Sequence, residues 1–224
     1  HCTASKSAIS DFKISDLSTS NNFEEVCKSW LSIIKKSKPS YLAGDLYSGG
    51  GFKKLSNNLI KNEFLIISAG LGLLGADRII PSYECTVSRG KPNSVSDYFQ
   101  DQFNYSKWWD CLVPSKYSLG YINENTKNSK VILISVTSDY LKMIAEDLKK
   151  LVKKFYIFTG SKELAISLGF EENLIPYTEV FDGPNGTLRG TNRDFAQRTH
   201  TDFIKRLNKY NNFKEAYESV EFDM

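Results

Sequence analysis

The segment Phe64–Glu84 holds the side chains of this chain that are best suited to chemistry. It opens as a short apolar run that ends at Ser68, breaks into three glycines, and closes on a polar cluster with Asp77 and Glu84. Glycines let a ligand approach the backbone closely, and a carboxylate can act as a general base or stabilise a cation. This order predicts a ligand crevice at the carboxyl end of a strand, with Asp77 and Glu84 as catalytic candidates.

The binding candidates in this segment are Ser68, Gly70 and Tyr83. The acids also suit structural caps, and Tyr83 also suits a packed core.

Two loops near the start of the chain could bind an anion. The loop Cys2–Ser7 combines small hydroxyl side chains, such as that of Thr3, with Lys6, and this suits a phosphate or a polar base. A run of three glycines follows Tyr47 closely, so backbone N–H groups could face an anion while the Tyr47 ring stacks on a base. A capped helix start and a plain flexible turn account for the two loops about equally well. Neither the Walker pattern nor the dinucleotide-binding glycine fingerprint is present.

An aromatic segment, Asn104–Asp110, contains adjacent Trp residues beside Tyr105 and Lys107. Trp108 and Lys107 suit a surface that stacks bases and contacts phosphates. The alternative is that the aromatic pair belongs to the core, and the sequence leaves that alternative open.

Three arginines precede or open a helix near the end of the chain, namely Arg189, Arg193 and Arg198. A guanidinium group binds phosphate through two hydrogen bonds, and a helix start adds a positive field. The pattern favours an anion-binding edge over a solvated, salt-bridged helix start. His200 is the only histidine besides His1, which leaves little material for a Ser-His-Asp triad.

Composition and charge allow a nucleic-acid partner without requiring one. The chain is 41% hydrophobic and 25% charged, with a net charge of +3, which is ordinary for a globular protein. The four cysteines have no CxxC spacing, so we expect no zinc or other metal site, and we expect free thiols in a reducing cytoplasm. We expect no membrane span and no signal peptide, because no apolar run approaches about 20 residues.

Alternating strand and helix patterns predict an α/β fold. Continuous apolar runs predict buried strands at Phe64–Ser68, Val131–Val136 and Phe155–Thr159, and we expect another strand just before or at His1. Amphipathic spacing predicts helices at Asn22–Lys36, Ser138–Lys154, Ser161–Leu168, Asp194–Asn208 and Phe213–Phe222. We therefore expect one α/β domain over residues 1–224, with three layers and a central, mainly parallel sheet of about four strands flanked by helices. Residues 82–130 are expected to form a helical or irregular insertion that flanks the cleft.

Several of these motifs together resemble proteins of the YaaA type and related small bacterial domains. The stretch Ile66–Tyr83 resembles their strand, glycine, Asp, Pro and Tyr signature, and the loop around Lys6 resembles their first-strand loop. Leu46–Gly49 resembles their Tyr-x-Gly element. The remaining matches are Tyr105–Trp109, and Arg189-Gly190 together with Arg198.

The resemblance implies a fold similar to that of uracil-DNA glycosylases and binding of double-stranded DNA. Its implied activity is a DNA glycosylase that flips out and excises a modified base of phage DNA, such as a glucosylated hydroxymethylcytosine, and so serves in defence against phage. Asp77 and Glu84 are then the acids that stabilise the sugar cation, with Asn192 and Asp194 as reserves that position water or read the base. No cofactor is implied. The alternatives are a non-catalytic DNA-binding stress protein and an N-glycosidase that acts on free nucleosides or nucleotides.

Overall fold

Short strands and amphipathic helices alternate along the chain. The computed structural model describes residues 6–17, 22–59, 64–99, 103–181, 188–191 and 193–223. The strands are β1 (Phe12–Lys13), β2 (Tyr41–Leu42), β3 (Leu65–Ser68), β4 (Gly72–Gly75), β5 (Ile79–Ile80), β6 (Tyr83–Glu84), β7 (Ile132–Ser135) and β8 (Phe155–Phe158). The helices are α1 (Phe23–Lys36), α2 (Ala43–Leu46), α3 (Gly50–Ser56), α4 (Tyr105–Leu112), α5 (Ile122–Asn125), α6 (Ser138–Leu148), α7 (Lys162–Ser167), α8 (Phe195–Tyr210) and α9 (Phe213–Phe222). The predicted mixture of helices and strands is confirmed.

The chain divides into two compact units. Unit 1 consists of His1–Gly49, Ile60–Asn128 and Asp139–Val152. Unit 2 consists of Gly50–Leu59, Ser129–Ser138 and Lys153–Met224. Each unit is described separately below.

The predicted sheet of about four mainly parallel strands is not confirmed. Within the described residues the strands form four pairs, of which β1–β6 and β7–β8 are parallel and β2–β5 and β3–β4 are antiparallel. The predicted strand Phe64–Ser68 exists as β3, but it folds back onto β4 with Ser68 opposite Gly72. Gly72 has a φ of +84°, a left-handed conformation that glycine adopts without strain, and this lets the chain reverse there. The strand expected at or before His1 lies outside the described residues.

Each predicted helix corresponds to an observed helix, although one of them ends earlier than predicted. Helix α1 begins where the Asn22 side chain accepts a hydrogen bond from the Glu24 N–H, and it buries Val26, Trp30 and Ile34 along one face. Helix α6 ends at Leu148 rather than at Lys154. A tight turn closes it there, because the Leu151 N–H bonds to the Leu148 carbonyl three residues back.

A disulfide joins Cys27 on α1 to Cys111 on α4 across 84 residues of sequence. The expectation of free thiols is therefore wrong for this pair, whereas Cys85 is buried outside any disulfide and its thiol donates to the Ala69 carbonyl. Disulfides are rare in reducing compartments, so the cysteines no longer support a cytoplasmic location. No helix among the described residues is long and apolar enough to cross a membrane.

Unit 2 has an aromatic core. Side chains from β8, α8 and α9 pack together there, including Tyr156, Phe158, Phe203 and Val220. The ring of Tyr156 stacks on that of Phe213 with centroids 4.6 Å apart. This packing anchors the C-terminal helices on the parallel pair β7–β8.

Candidate functional site

Three of the sequence motifs meet at one place in unit 1. The hydroxyl group of Tyr83 lies 2.5 Å from Ser68 Oγ and 2.9 Å from the Tyr47 hydroxyl. The ammonium group of Lys6 lies over the Tyr83 ring, 4.5 Å from its centroid, and 5.8 Å from the centroid of the Tyr47 ring. We call Lys6, Tyr47, Ser68 and Tyr83 the hydroxyl cluster. The cluster combines a row of hydrogen-bonded hydroxyl groups with a cation.

Backbone pairing brings the Lys6 loop to Tyr47. Lys6 and Tyr47 form an isolated antiparallel bridge, and the Ser7 N–H donates to the Leu46 carbonyl at 2.8 Å. The Ser7 hydroxyl also donates to the Asp45 carbonyl at 3.1 Å. These contacts place the backbone of Lys6 beside the end of α2, and from there its side chain reaches the two rings.

The glycine turn shapes the other wall of the cluster. Ser68 Oγ accepts a hydrogen bond from the Leu71 N–H at 3.0 Å. A Cβ atom on Gly70 would lie 2.5 Å from Cε2 of Tyr83, which is closer than any real contact. Gly70 therefore lets the Tyr83 ring lie directly against the backbone of the turn. The sequence assigned this glycine to a ligand, whereas in the structure a side chain of the same chain lies against it.

The tyrosines of the cluster and the tryptophans of α4 are buried. Tyr47, Tyr83 and Trp108 have exposed fractions of 0%. The indole N–H of Trp108 donates to the Ala69 carbonyl at 2.8 Å, so this ring packs behind the glycine turn. The proposed stacking of a base on Tyr47 or Trp108 does not fit these buried positions, whereas the core alternative does. Lys107, by contrast, is exposed on α4.

The two acids of the motif lie away from the Tyr83 hydroxyl. Asp77 is exposed and follows Gly75, which pairs with Leu65 at the far end of the β3–β4 hairpin from Ser68. At a rise of about 3.3 Å per residue, the two ends of the hairpin are about 10 Å apart. The structure therefore does not bring Asp77 to the cluster.

Glu84 is held by its neighbours. Its carboxylate accepts hydrogen bonds from the Ser10 hydroxyl and the Asn93 amide, and Lys13 Nζ lies 3.8 Å away. Successive side chains of a strand point to opposite faces, so Glu84 and Tyr83 of β6 face opposite ways. Glu84 is a fixed carboxylate on the opposite face of β6 from Tyr83, and its side chain remains 38% exposed.

In unit 2 the three arginines divide into two kinds. Arg198 is buried and donates from Nε to Asp194 at 3.0 Å and from Nη2 to the Thr191 carbonyl at 2.9 Å. Arg189 and Arg193 are exposed. Arg198 thus holds Thr191 and Asp194 in place before α8.

Asp194 acts as a structural group at the start of α8. It accepts hydrogen bonds from the N–H and the hydroxyl of Thr191 as well as from Arg198. Burial raises the pKa of Asp194, but the hydrogen bonds from Arg198 and Thr191 outweigh it and hold the pKa below its usual value. An ionised, fully engaged carboxylate is poorly placed to activate water. Thr3 and Asn192, two further predicted site residues, lie outside the described residues.

The run of glycines after Tyr47 serves helix packing. Gly51 belongs to α3, and a Cβ atom there would lie 2.7 Å from Cβ of Asp194 and 3.3 Å from Cβ of Gln197. The absence of a side chain lets α3 lie close against α8 within unit 2. Neither the anion nor the flexible-turn interpretation anticipated this.

One buried Ser–His pair was not predicted from the sequence. The hydroxyl of Ser135, the last residue of β7, is hydrogen-bonded to Nδ1 of His200 on α8. The His200 ring stacks on Phe158, with centroids 4.5 Å apart. Burial lowers the pKa of His200 to about 3, so the ring is neutral at physiological pH. The feature of the sequence that could have indicated this pair was a polar residue, Ser135, at the end of an apolar strand.

The described residues hold no candidate metal cluster, and the comparisons with known proteins identify no relative. Among the described residues, no group of three or more His, Cys, Asp or Glu side chains could hold a metal ion. No protein-family model, curated protein or solved structure matches the chain. The resemblance to proteins of the YaaA type therefore rests on the motif residues alone.

Proposed function

We propose that this protein is a DNA N-glycosylase that excises a modified base from double-stranded DNA. The observation that carries the proposal is the hydroxyl cluster, because three separated segments that the sequence marked as binding motifs meet there. Lys6 comes from the first loop, Tyr47 from the Tyr-x-Gly element, and Ser68 and Tyr83 from the glycine signature.

The chemistry of base excision suits a fixed cation. The bond between C1′ of the sugar and the base nitrogen breaks, and its electron pair leaves with the base. Water then adds to C1′, and a proton passes to the departing base. An ammonium group held in advance stabilises the negative charge that develops on the base. In this proposal Lys6 has that role, and its ammonium group lies over the rings of Tyr83 and Tyr47.

A carboxylate is the natural partner for the positive charge on the sugar. Glu84 is the better of the two candidates, because the Ser10 and Asn93 hydrogen bonds hold it in place and Lys13 Nζ lies 3.8 Å from it. Asp77 is exposed and lies at the far end of the hairpin. We therefore propose Glu84 as the acid that acts and Asp77 as a surface residue.

Exposed cations supply the proposed contacts to the DNA backbone. Arg189 and Arg193 in unit 2 and Lys107 in unit 1 are all exposed. Neutralised phosphates account for most non-specific affinity for DNA and make it dependent on salt. DNA is accordingly the proposed partner, with no cofactor.

The experiment that tests the proposal incubates the protein with three substrates: unmodified DNA, DNA with glucosylated hydroxymethylcytosine, and the free modified nucleoside. Released base is measured by mass spectrometry, and DNA binding by titration at several salt concentrations. Base release from the modified DNA alone supports the proposal. Salt-dependent binding without release from any substrate would identify a DNA-binding protein, and release from the nucleoside alone would identify a nucleoside N-glycosidase.

A further inference from the structure

The disulfide lies within one helical turn of two buried tryptophans. Cys27 precedes Trp30 by three residues on α1, and Cys111 follows Trp108 by three residues on α4. Residues three apart on a helix are neighbours on its surface. The bond therefore joins the two helical turns that carry these indoles.

Both indoles hold the same backbone turn. Trp108 donates to the Ala69 carbonyl and Trp30 to the Gly70 carbonyl, each at 2.8 Å. Both tryptophans have exposed fractions of 0%. Two consecutive carbonyls are thus fixed from two helices, and the disulfide fixes those helices to each other.

The turn contacts two members of the hydroxyl cluster. The Leu71 N–H donates to Ser68 Oγ, which is hydrogen-bonded to the Tyr83 hydroxyl. The Tyr83 ring lies against Gly70. A displacement of residues 69–71 would therefore change the position of both Ser68 and Tyr83.

We propose that the Cys27–Cys111 disulfide is a redox-sensitive clamp that sets the geometry of the turn 69–71 and, through it, of the hydroxyl cluster. A dithiol reductant breaks the S–S bond by supplying two electrons and two protons. The protein gains two thiols, and the reductant becomes a disulfide. Cys27 is only half-buried, which gives the reductant a sulfur to attack. The clamp stands whether or not the cluster excises bases, because it concerns the geometry of the turn.

A simple stabilising crosslink is the competing explanation. A disulfide between residues far apart in sequence restricts the unfolded chain and so stabilises everything that unfolds with it. In that case reduction would accelerate hydrogen exchange to the same extent at all slowly exchanging amides of unit 1. A clamp affects the turn much more than the other elements, because both indole N–H groups donate to carbonyls of the turn.

Hydrogen exchange separates the two explanations. The Leu71 amide reports on the turn, and amides of α6 such as that of Ile144 report on the rest of unit 1. On reduction with dithiothreitol we expect the Leu71 amide to exchange at least about tenfold faster, and the α6 amides less than about twofold faster. Equal acceleration at both places, or none at the turn, would overturn the clamp. Peptide mapping shows that the Cys27–Cys111 bond is the one reduced.

A substitution at an indole tests the same link without touching the disulfide. Trp30→Phe keeps a ring in the core but removes the donor to Gly70, so we expect faster exchange at Leu71 in the oxidised protein. Trp109→Phe is the matched control, because the Trp109 indole donates to Asp147 at 3.0 Å instead of to the turn. If both substitutions accelerate exchange of the Leu71 amide equally, or if neither does, the proposal is contradicted.

Discussion

Tyr83 stands in the middle of the hydroxyl row, whereas Tyr47 stands at its end. Tyr83→Phe leaves two buried hydroxyl groups without their shared partner, and we expect it to lower the free energy of unfolding by about 1–3 kcal/mol. Tyr47→Phe removes only the terminal hydroxyl, so its effect is expected to be smaller, about 0.5–1.5 kcal/mol. Urea unfolding of both variants measures the difference. A larger loss for Tyr47→Phe would show that the row is not organised around Tyr83.

His200 should make the stability of unit 2 depend on pH. Its pKa is about 3 in the folded protein, below the ordinary histidine value of 6.5, because burial disfavours the charged ring. The unfolded chain therefore binds an extra proton between these values, so stability is complete above pH 6.5 and falls as the pH is lowered. Between pH 6.5 and pH 5 the free energy of unfolding should fall by about 2 kcal/mol.

Denaturant titrations at the two pH values check this expectation, with His200→Gln as the control. The variant has no titrating ring, so its stability should lose this part of the pH dependence. The same pH dependence in the variant and in the natural protein would assign the effect to other groups.

At the scale of elements, the contact between α3 and α8 depends on Gly51. A methyl group there would meet Cβ of Asp194, and we expect Gly51→Ala to lower the free energy of unfolding by about 1–3 kcal/mol. Gly50→Ala is the matched control, because nothing lies within 4 Å of a Cβ atom at Gly50. Thermal unfolding of the two variants measures the contrast. Equal Tm values would mean that α3 does not need its close approach to α8.

The sequence predicted those elements whose signal is local. The run Phe155–Thr159 became β8 because four consecutive buried side chains identify an interior strand. Helix α9 agrees with its predicted bounds, Phe213–Phe222. The meeting of Lys6, Tyr47 and Tyr83 was only partly predictable, because the motifs were visible but their contacts join distant segments.

The features that were not predicted from the sequence depend on tertiary contacts. The glycine turn after Ser68 suggested a parallel strand with a crevice, but the same residues also permit a hairpin, and the pairing of β3 with β4 decides between them. The Cys27–Cys111 bond spans 84 residues and has no spacing signal. Adjacent aromatic residues such as Trp108 belong to a core more often than to a stacking surface, and the burial of Trp108 agrees with the core.

For the molecule as a whole, charge should govern the affinity for DNA. Arg189→Ala and Arg193→Ala each remove an exposed cation. If each arginine contacts one phosphate, each substitution should weaken binding and reduce the slope of log K against log salt by about 1. Glu163→Gln is the control, because it changes charge at an exposed position on α7 that we assign no contact to DNA. Unchanged slopes for both arginine variants would exclude these residues from the DNA interface.

The central claim is that the hydroxyl cluster excises a base, and abasic-site formation in modified double-stranded DNA tests it most directly. The natural protein, Lys6→Met, and the exposed-lysine control Lys38→Met are incubated with the DNA, and alkaline cleavage measures the abasic sites. We expect the natural protein and Lys38→Met to form abasic sites at equal rates, and Lys6→Met to be at least about a hundredfold slower, because loss of a charge-stabilising donor costs that much in transition-state stabilisation. If Lys6→Met forms abasic sites equally well, or if none of the three proteins forms them, the proposal that the hydroxyl cluster excises a base is contradicted.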